Sequence, residues 1–166
     1  MSTQLKSHPD KTLIRHLSEV ARITKSIIEG KNINFSLQFD NNVVDIAKLV
    51  PDLAYLTAAF HDIGKATHFF QKYIINPDNL HDRKKSHALF SALFTYFVIE
   101  KYIREKGYKV IIHQLLAVFS YSAVKRHHGK LLNLGDEILL DEDNQDLLIE
   151  QVQAIPQQQI SEIIGE

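Results

Sequence analysis

Apolar side chains recur at helical spacing over most of this 166-residue chain. A helix turns one face toward the core every three to four residues, so this spacing predicts amphipathic helices. The predicted helices cover about residues 10–29, 43–50, 51–64, 69–75, 84–106 and 110–126. The polar stretch that leads to Asp40 is predicted to be a loop, and no run alternates in the manner of a strand. The pattern therefore predicts an all-α fold, a bundle of helices.

Two of the predicted helices carry a histidine on the apolar face. At 100° per residue, His16 shares its face with Leu13 and Val20, and His87 shares its face with Phe90. Both imidazoles are therefore expected to point inward.

Further ligand-type side chains stand at predicted helix ends. His61 and Asp62 follow directly on an apolar helical run, and His127 and His128 precede Gly129. Adjacent residues inside a regular helix diverge by about 100°, but at a fraying C-terminal turn they can converge on one ion. The position of the histidine pair is therefore compatible with both imidazoles binding the same ion.

Each histidine taken singly has an ordinary explanation. An inward imidazole is commonly a hydrogen-bonded core residue, and a histidine pair at a helix C-terminus can be a cation favoured by the helix dipole. Ligand-type residues on four separate predicted helices are hard to attribute to core packing. The predicted metal ligands are His16, His61, Asp62, His87, His127 and His128. The histidines without this context, predicted to be surface or structural, are His8, His68, His81 and His113.

Composition is that of an ordinary globular protein, with 45% hydrophobic and 23% charged residues. The length predicts a single domain over residues 1–166. The chain contains no cysteine, so any metal must be held by histidine and carboxylate. No apolar stretch has the length of a membrane span, and no signal peptide is recognisable, so a cytoplasmic location is expected.

The net charge of −1 makes a broad nucleic-acid-binding surface improbable, because such surfaces are usually strongly basic. Contact with nucleic acid would have to be local. The candidate nucleic-acid-binding residues flank predicted ligands and are Lys84, Lys85, Lys125, Arg126 and Lys130. The alternative is that these are solvated charges at helix ends.

A divalent ion held by imidazoles and a carboxylate keeps open positions for water, whose pKa it lowers toward neutrality. If Asp62 bridges two ions, they would lie about 3.5–4 Å apart and could stabilise both the attacking and the leaving oxygen of a phosphodiester. Asp62 and Lys65 are the predicted catalytic residues, since Lys65 lies one turn after Asp62 and could neutralise phosphate charge. The alternative is that Lys65 is a surface lysine at a helix end.

Taken in order, these motifs resemble those of the HD nuclease of CRISPR-associated interference systems, the domain that works with, or is fused to, the type I helicase. The resemblance spans about residues 10–130 and rests on His16, His61-Asp62-Ile63-Gly64-Lys65, Ser86-His87-Ala88 with Ser91-Ala92, and Arg126-His127-His128-Gly129. It implies an HD-domain helical bundle of the HD phosphohydrolase superfamily. It also implies metal-dependent cleavage of DNA, chiefly single strands, with manganese, nickel, cobalt or magnesium as cofactor. The implied partners are the interference helicase and its effector complex.

The resemblance also assigns the ligands to two ions. His16, His61 and Asp62 would bind the first ion, whereas Asp62, His87, His127 and His128 would bind the second. Members of the wider superfamily complete the first site with an aspartate on a late helix. The aspartates that follow the histidine pair are Asp136, Asp141, Asp143 and Asp146, and none has an inward helical context. We therefore expect a domain that lacks this late helix or uses one of these aspartates, and in which the second site is the stronger.

Two other functions remain open. An HD phosphohydrolase could act on nucleotides or small phosphate esters, although the late histidine pair and the flanking basic residues favour the nuclease. A degenerate HD domain could serve as an interaction module, which the near-neutral charge and the absent aspartate favour modestly.

Overall fold

The computed structural model describes residues 4–31, 33–39, 41–77 and 83–164, so His81 lies outside the described residues. The α-helices in these ranges are α1 (Leu13–Glu29), α2 (Val50–Phe60), α3 (His68–Ile75), α4 (Ala88–Glu105), α5 (Val110–Lys125), α6 (Leu134–Ile138), α7 (Glu142–Gln153) and α8 (Gln157–Ile164). Short 3-10 helices span Ile63–Ala66 and Arg83–Lys85. The described chain is predominantly helical, which confirms the all-α prediction.

Four short strands accompany the helices in these described ranges. β1 (Lys6–His8) pairs antiparallel with β2 (Lys11–Thr12), and β3 (Ser36–Phe39) pairs antiparallel with β4 (Asn42–Asp45). The first hairpin leads directly into α1, since β2 ends at Thr12 and α1 begins at Leu13. The Leu13 N–H donates to the Leu5 carbonyl over 2.8 Å, which ties the start of α1 to the hairpin.

The predicted helix over 43–50 is wrong, as is the loop predicted before Asp40, because β3 and β4 occupy these segments. The register of this hairpin pairs Phe39 with Asn42 and Leu37 with Val44. Asn-rich turns and β-branched residues such as Val43 and Val44 favour a hairpin. One face of the hairpin then packs on the core through Leu37, Phe39 and Val44. Asp40 lies outside the described residues.

The other helical predictions hold for α1, α2, α3 and α5, with ends displaced by a few residues. The predicted helix over 84–106 begins later, at Ala88, because Arg83–Lys85 forms a separate 3-10 turn. His87 is therefore the residue that precedes α4, not part of its apolar face. After residue 131, where no helix was predicted, the chain forms α6, α7 and α8.

Two buried clusters hold the helices around the cluster of histidines. One joins α2, α4 and α5 through Leu53, Ile99, Ile103 and Leu116. The other joins α1 to the 3-10 turn after α2 through Leu13, Leu17 and Ile63. Because α1, α2, α4 and α5 are tied together in this way, their ligand-bearing ends meet in one place. No helix in the described part of the chain is both long and apolar enough to cross a membrane.

Candidate metal centre

Asp62 lies at the centre of the candidate site. It directly follows α2 and precedes the 3-10 turn Ile63–Ala66. Its side chain is 3% exposed, and its two carboxylate oxygens face different neighbours. A buried carboxylate requires several compensating partners, because burial without them costs several kcal/mol.

The Oδ2 atom of Asp62 faces the ligands predicted for the first ion. It lies 2.9 Å from Nε2 of His16 and 3.3 Å from Nε2 of His61. It also forms an ion pair with Nζ of Lys65 at 2.7 Å.

The Oδ1 atom faces the ligands predicted for the second ion. It lies 3.0 Å from Nε2 of His87 and 3.2 Å from Nε2 of His127. His128 completes this group, with its Nε2 3.3 Å from Nε2 of His87. The structure therefore brings all six predicted ligands together, in two groups that share Asp62.

His61 and His127 are each held by a hydrogen bond from Nδ1 to a backbone carbonyl three residues earlier. Nδ1 of His61 lies 2.7 Å from the Ala58 carbonyl, and Nδ1 of His127 lies 2.6 Å from the Val124 carbonyl. Because a carbonyl oxygen can only accept, each Nδ1 carries a hydrogen, and Nε2 of the neutral ring bears a lone pair. This is the outer contact that commonly orients histidine ligands of metals.

The resulting donor set fits a cation. Nε2 of His127 and Oδ1 of Asp62 are buried atoms without a well-aligned hydrogen bond, although they lie 3.2 Å apart. Two lone-pair atoms at this distance repel each other unless a proton or a metal ion lies nearby. Imidazole nitrogens together with one carboxylate suit a borderline divalent metal. The described residues can therefore hold one or two such ions.

The electrostatics keep most of these groups in their ligating forms. Burial raises the pKa of Asp62, but contacts with the surrounding imidazoles and with Lys65 lower it far more, so the carboxylate stays ionised. Burial lowers the pKa of His16 and of His128, which favours neutral rings. The neighbouring Asp62 carboxylate raises the pKa of His127, so in the metal-free protein this ring takes up a proton more readily.

Gly64 explains how His87 reaches Asp62. A Cβ at Gly64 would lie 2.6 Å from the His87 carbonyl oxygen, so only glycine permits this approach of the two backbones. The Gly64 N–H donates to Oγ of Ser91 over 2.9 Å, which fixes the 3-10 turn against α4. The motif residues around the ligands thus set the distance between His87 and Asp62.

Lys65 is buried, at 6% exposure, so it is not a surface lysine. Its ammonium compensates the charge of Asp62, and its role toward a phosphate stays a prediction. The ammonium lies beside the oxygen that faces His16 and His61, where it would repel a cation held on that side.

The candidate nucleic-acid-binding residues have different surroundings. Lys130 is exposed close to His128, whereas Lys84 pairs with Glu150 at 2.7 Å and Lys85 lies over the Tyr73 ring at 4.5 Å.

Lys125 and Arg126 are bound internally. Nε of Arg126 donates to the Glu137 carboxylate over 2.5 Å, and Nζ of Lys125 donates to the Glu137 carbonyl over 2.5 Å. Their predicted contact with nucleic acid is untested, and the contacts seen are structural.

Two buried polar residues that support the site, Glu137 and Gln151, were not predicted from the sequence. Glu137, 1% exposed, holds the turn that carries His127 and His128 through Lys125 and Arg126. Gln151 of α7 donates to the Lys84 and Ser86 carbonyls, just before His87. A polar residue in an acidic, weakly patterned segment gives no signal of burial, so neither was predictable.

The remaining histidines have separate roles. His68 is exposed at the start of α3, and His113 is buried with Nδ1 3.0 Å from a Glu100 carboxylate oxygen, so these two are surface and structural, as predicted. His8 is exposed, with its ring centre 5.5 Å from that of His16.

None of the late aspartates joins the two ligand groups found among the described residues. Asp141 instead accepts from the Asn144 N–H at the start of α7, and Asp143 pairs with Arg83. Among the described residues, the first group therefore contains His16, His61 and Asp62, and the alternative in which a late aspartate completes it finds no support in this arrangement.

A helical fold with a histidine-aspartate pair at the centre of a histidine cluster defines an HD-type domain. The family described as "Cas3, HD domain" matches residues 3–161, and the chain belongs to this family. The chain is also similar to the CRISPR-associated endonuclease Cas3-HD of Methanocaldococcus jannaschii, with 29% identity over 144 residues, 80% of this chain and 53% of that protein. It thus spans about half the length of this curated relative. No solved structure matches the chain. These findings confirm the resemblance inferred from the motifs.

Proposed function

We propose that this chain is a metal-dependent phosphodiesterase, a nuclease domain that cleaves DNA, chiefly single strands, in CRISPR interference. The observation that carries the proposal is the sharing of Asp62, whose Oδ2 faces His16 and His61 and whose Oδ1 faces His87 and His127. Family membership and the name of the endonuclease relative support the same class of activity.

In this proposal His16, His61 and Asp62 hold one ion, and Asp62, His87, His127 and His128 hold the other. Manganese, nickel, cobalt or magnesium held by these residues would supply Lewis acidity and would lower the pKa of water toward neutrality. The carbonyls of Ala58 and Val124 keep the His61 and His127 rings oriented through Nδ1. Lys65 balances the charge of Asp62 and contributes positive charge next to the scissile phosphate.

The substrate path is proposed to pass the exposed side of the cluster. His128 and Lys130 are exposed there, and Lys84 and Lys85 precede His87. This small positive area suits local contact with a phosphate backbone rather than tight binding of long duplexes. Delivery of the strand by a helicase and its effector complex is part of the proposal.

The test uses purified protein, circular single-stranded DNA and a panel of nucleotides, with added manganese and with chelator. We expect cleavage of the circle with manganese and none with chelator. Asp62→Ala should lower the rate at least about 100-fold, because it removes the ligand shared by both ions. His68→Ala is the matched control, since His68 is exposed and outside both ligand groups.

Other outcomes would assign the domain differently. Hydrolysis of nucleotides with an intact circle would identify a phosphohydrolase of small phosphate esters. Stoichiometric metal with no turnover on any phosphate substrate would identify an interaction module. Cleavage that persists with chelator, or that Asp62→Ala leaves unchanged, would contradict the proposed site.

A further inference from the structure

An open apolar groove adjoins the metal centre. It has a volume of about 490 Å³ and lies between α1, α2, α5 and the segment around Phe35. At one end it is lined by His61 and His127, which also belong to the two ligand groups. The groove and the candidate active site therefore share a wall.

Helices α2 and α5 form the groove with matching stripes of side chains. The stripe on α2 passes through Leu53 and Thr57 to His61, and that on α5 passes through Phe119 and Ala123 to His127. In both, the spacing is one helical turn per step, so the stripe follows one face and leads to a ligand. From Phe119 to His127 the stripe covers roughly 12 Å.

The lining is uncharged and presents aromatic rings. No lysine, arginine, aspartate or glutamate stands among the described residues that line it. Phe119 and Phe35 keep 49% and 46% of their surface exposed. The Thr57 hydroxyl donates to Oγ of Ser120 over 3.0 Å, so part of the polar lining is internally satisfied. These properties favour a flat, apolar, aromatic ligand over a phosphate.

We infer that this groove binds a nucleobase of the strand whose phosphodiester lies at the metal centre, with Phe119 as the stacking residue. The inference rests on the proposed nuclease function and deepens it. Because the groove ends on His61 and His127, a strand held at the cluster places an adjoining nucleoside at the groove mouth. A paired and stacked base cannot enter such a groove, so the substrate is single-stranded or locally unpaired.

The experiment measures binding of a fluorescent, cleavage-resistant phosphorothioate oligothymidine to the manganese-loaded chain. Phe119→Ala should weaken binding about 5- to 150-fold, the range of one lost base–aromatic stack. Phe119→Tyr should keep the affinity, because it keeps the ring. Phe97→Ala is the matched control, since Phe97 is 65% exposed on α4 and does not line the groove.

A second oligomer with the same backbone but abasic sites separates base contact from phosphate contact. It should bind wild type and Phe119→Ala with equal affinity. Unchanged binding of oligothymidine to Phe119→Ala would overturn the inference, and so would equal weakening for both oligomers. A loss of self-association in Phe119→Ala, seen by sedimentation with oligothymidine binding unchanged, would assign the groove to a second copy of the chain.

The same preparations distinguish this inference from the proposed function. Cleavage of the single-stranded circle at equal rates by wild type and Phe119→Ala, with equal binding, would leave the nuclease intact and remove the base site. Base-dependent binding without any cleavage would remove the nuclease activity and leave the groove as a base-binding site. Equal melting temperatures and metal affinities of the variants establish that the effects are local.

Discussion

The ligand properties of this site depend on how single side chains are protonated. Nδ1 of His61 and of His127 faces a backbone carbonyl, so the neutral rings present Nε2 to the carboxylate. Asp62 stays ionised, because its contacts with the imidazoles and Lys65 lower its pKa more than burial raises it. A metal ion competes with protons for the imidazoles but not for this carboxylate.

We predict that metal affinity falls as the pH is lowered. His127, whose pKa is raised by Asp62, should take up a proton first, whereas His16 and His128, whose pKa values are lowered by burial, stay neutral to lower pH. Metal loss should therefore begin above the ordinary imidazole pKa of about 6.5, because the pKa of His127 is raised, and be extensive below about pH 6. Calorimetric titration with manganese at pH values from 8 to 5.5 measures the metal affinity. A constant affinity over this range would show that imidazoles are not the ligands.

At the level of secondary-structure elements, the positions of the ligand side chains depend on the contacts that hold the helix ends. The 3-10 turn after α2 packs against the start of α4, and the turn after α5 is tied to α6. Each contact is made by residues that would not themselves touch an ion. Small changes in these elements should therefore alter metal binding.

Gly64→Ala should separate the 3-10 turn from α4. The new Cβ would lie 2.6 Å from the His87 carbonyl, a backbone atom that can yield only if His87 moves away from Asp62. We expect a loss of about 1–3 kcal/mol in stability and at least about tenfold weaker metal binding. Urea unfolding and metal titration measure the two effects. Gly135→Ala is the control, because its Cβ meets only Asn133 Oδ1 at 3.6 Å, and an equal effect there would contradict the argument.

Glu137→Gln should loosen the turn that carries His127 and His128. Glu137 is buried, and its carboxylate binds Arg126 and Lys125. Loss of this charge leaves both cations without their anionic partner, which should cost about 1–3 kcal/mol. Metal affinity should fall by roughly 10- to 100-fold, the range for residues that support metal ligands, because Arg126 directly precedes His127. Metal titration measures the change in affinity, and Glu142→Gln is the control because Glu142 is exposed. An unchanged metal affinity of Glu137→Gln would show that the turn does not need the Glu137 carboxylate.

For the whole molecule, we expect metal binding and folding to be coupled. The ligands come from α1, the turn after α2, the residue before α4 and the turn after α5, so an ion held by them connects these parts of the chain. They converge only in the folded chain, and an ion therefore stabilises the fold by mass action.

We predict that manganese at about 100 times its dissociation constant stabilises the chain by about 2.7 kcal/mol. For a chain of this size, that corresponds to a rise in melting temperature of roughly 5–10 °C. Thermal melts with manganese and with chelator measure it. Asp62→Ala should abolish the rise and His68→Ala should retain it, so an equal rise in both variants would indicate ions bound elsewhere.

Sequence patterns alone were enough to predict the helical class and the six side chains that cluster around the Asp62 carboxylate. The spacing of Leu13, Leu17 and Ala21 specifies α1 because a helix buries every third or fourth residue, and this information is local. The position of His127 and His128 just beyond α5 was also predictable, since Gly129 marks a helix end.

Which atoms of these residues come into contact depends on how the helices pack together. The β3–β4 hairpin forms because its apolar face packs on helices far away in sequence, which outweighs local helical spacing. Glu137 and Gln151 are buried because they satisfy cations and carbonyls of other elements, and no local pattern encodes such partners. The division of Asp62 between two histidine groups likewise depends on distances between helix ends, which packing sets and sequence spacing does not.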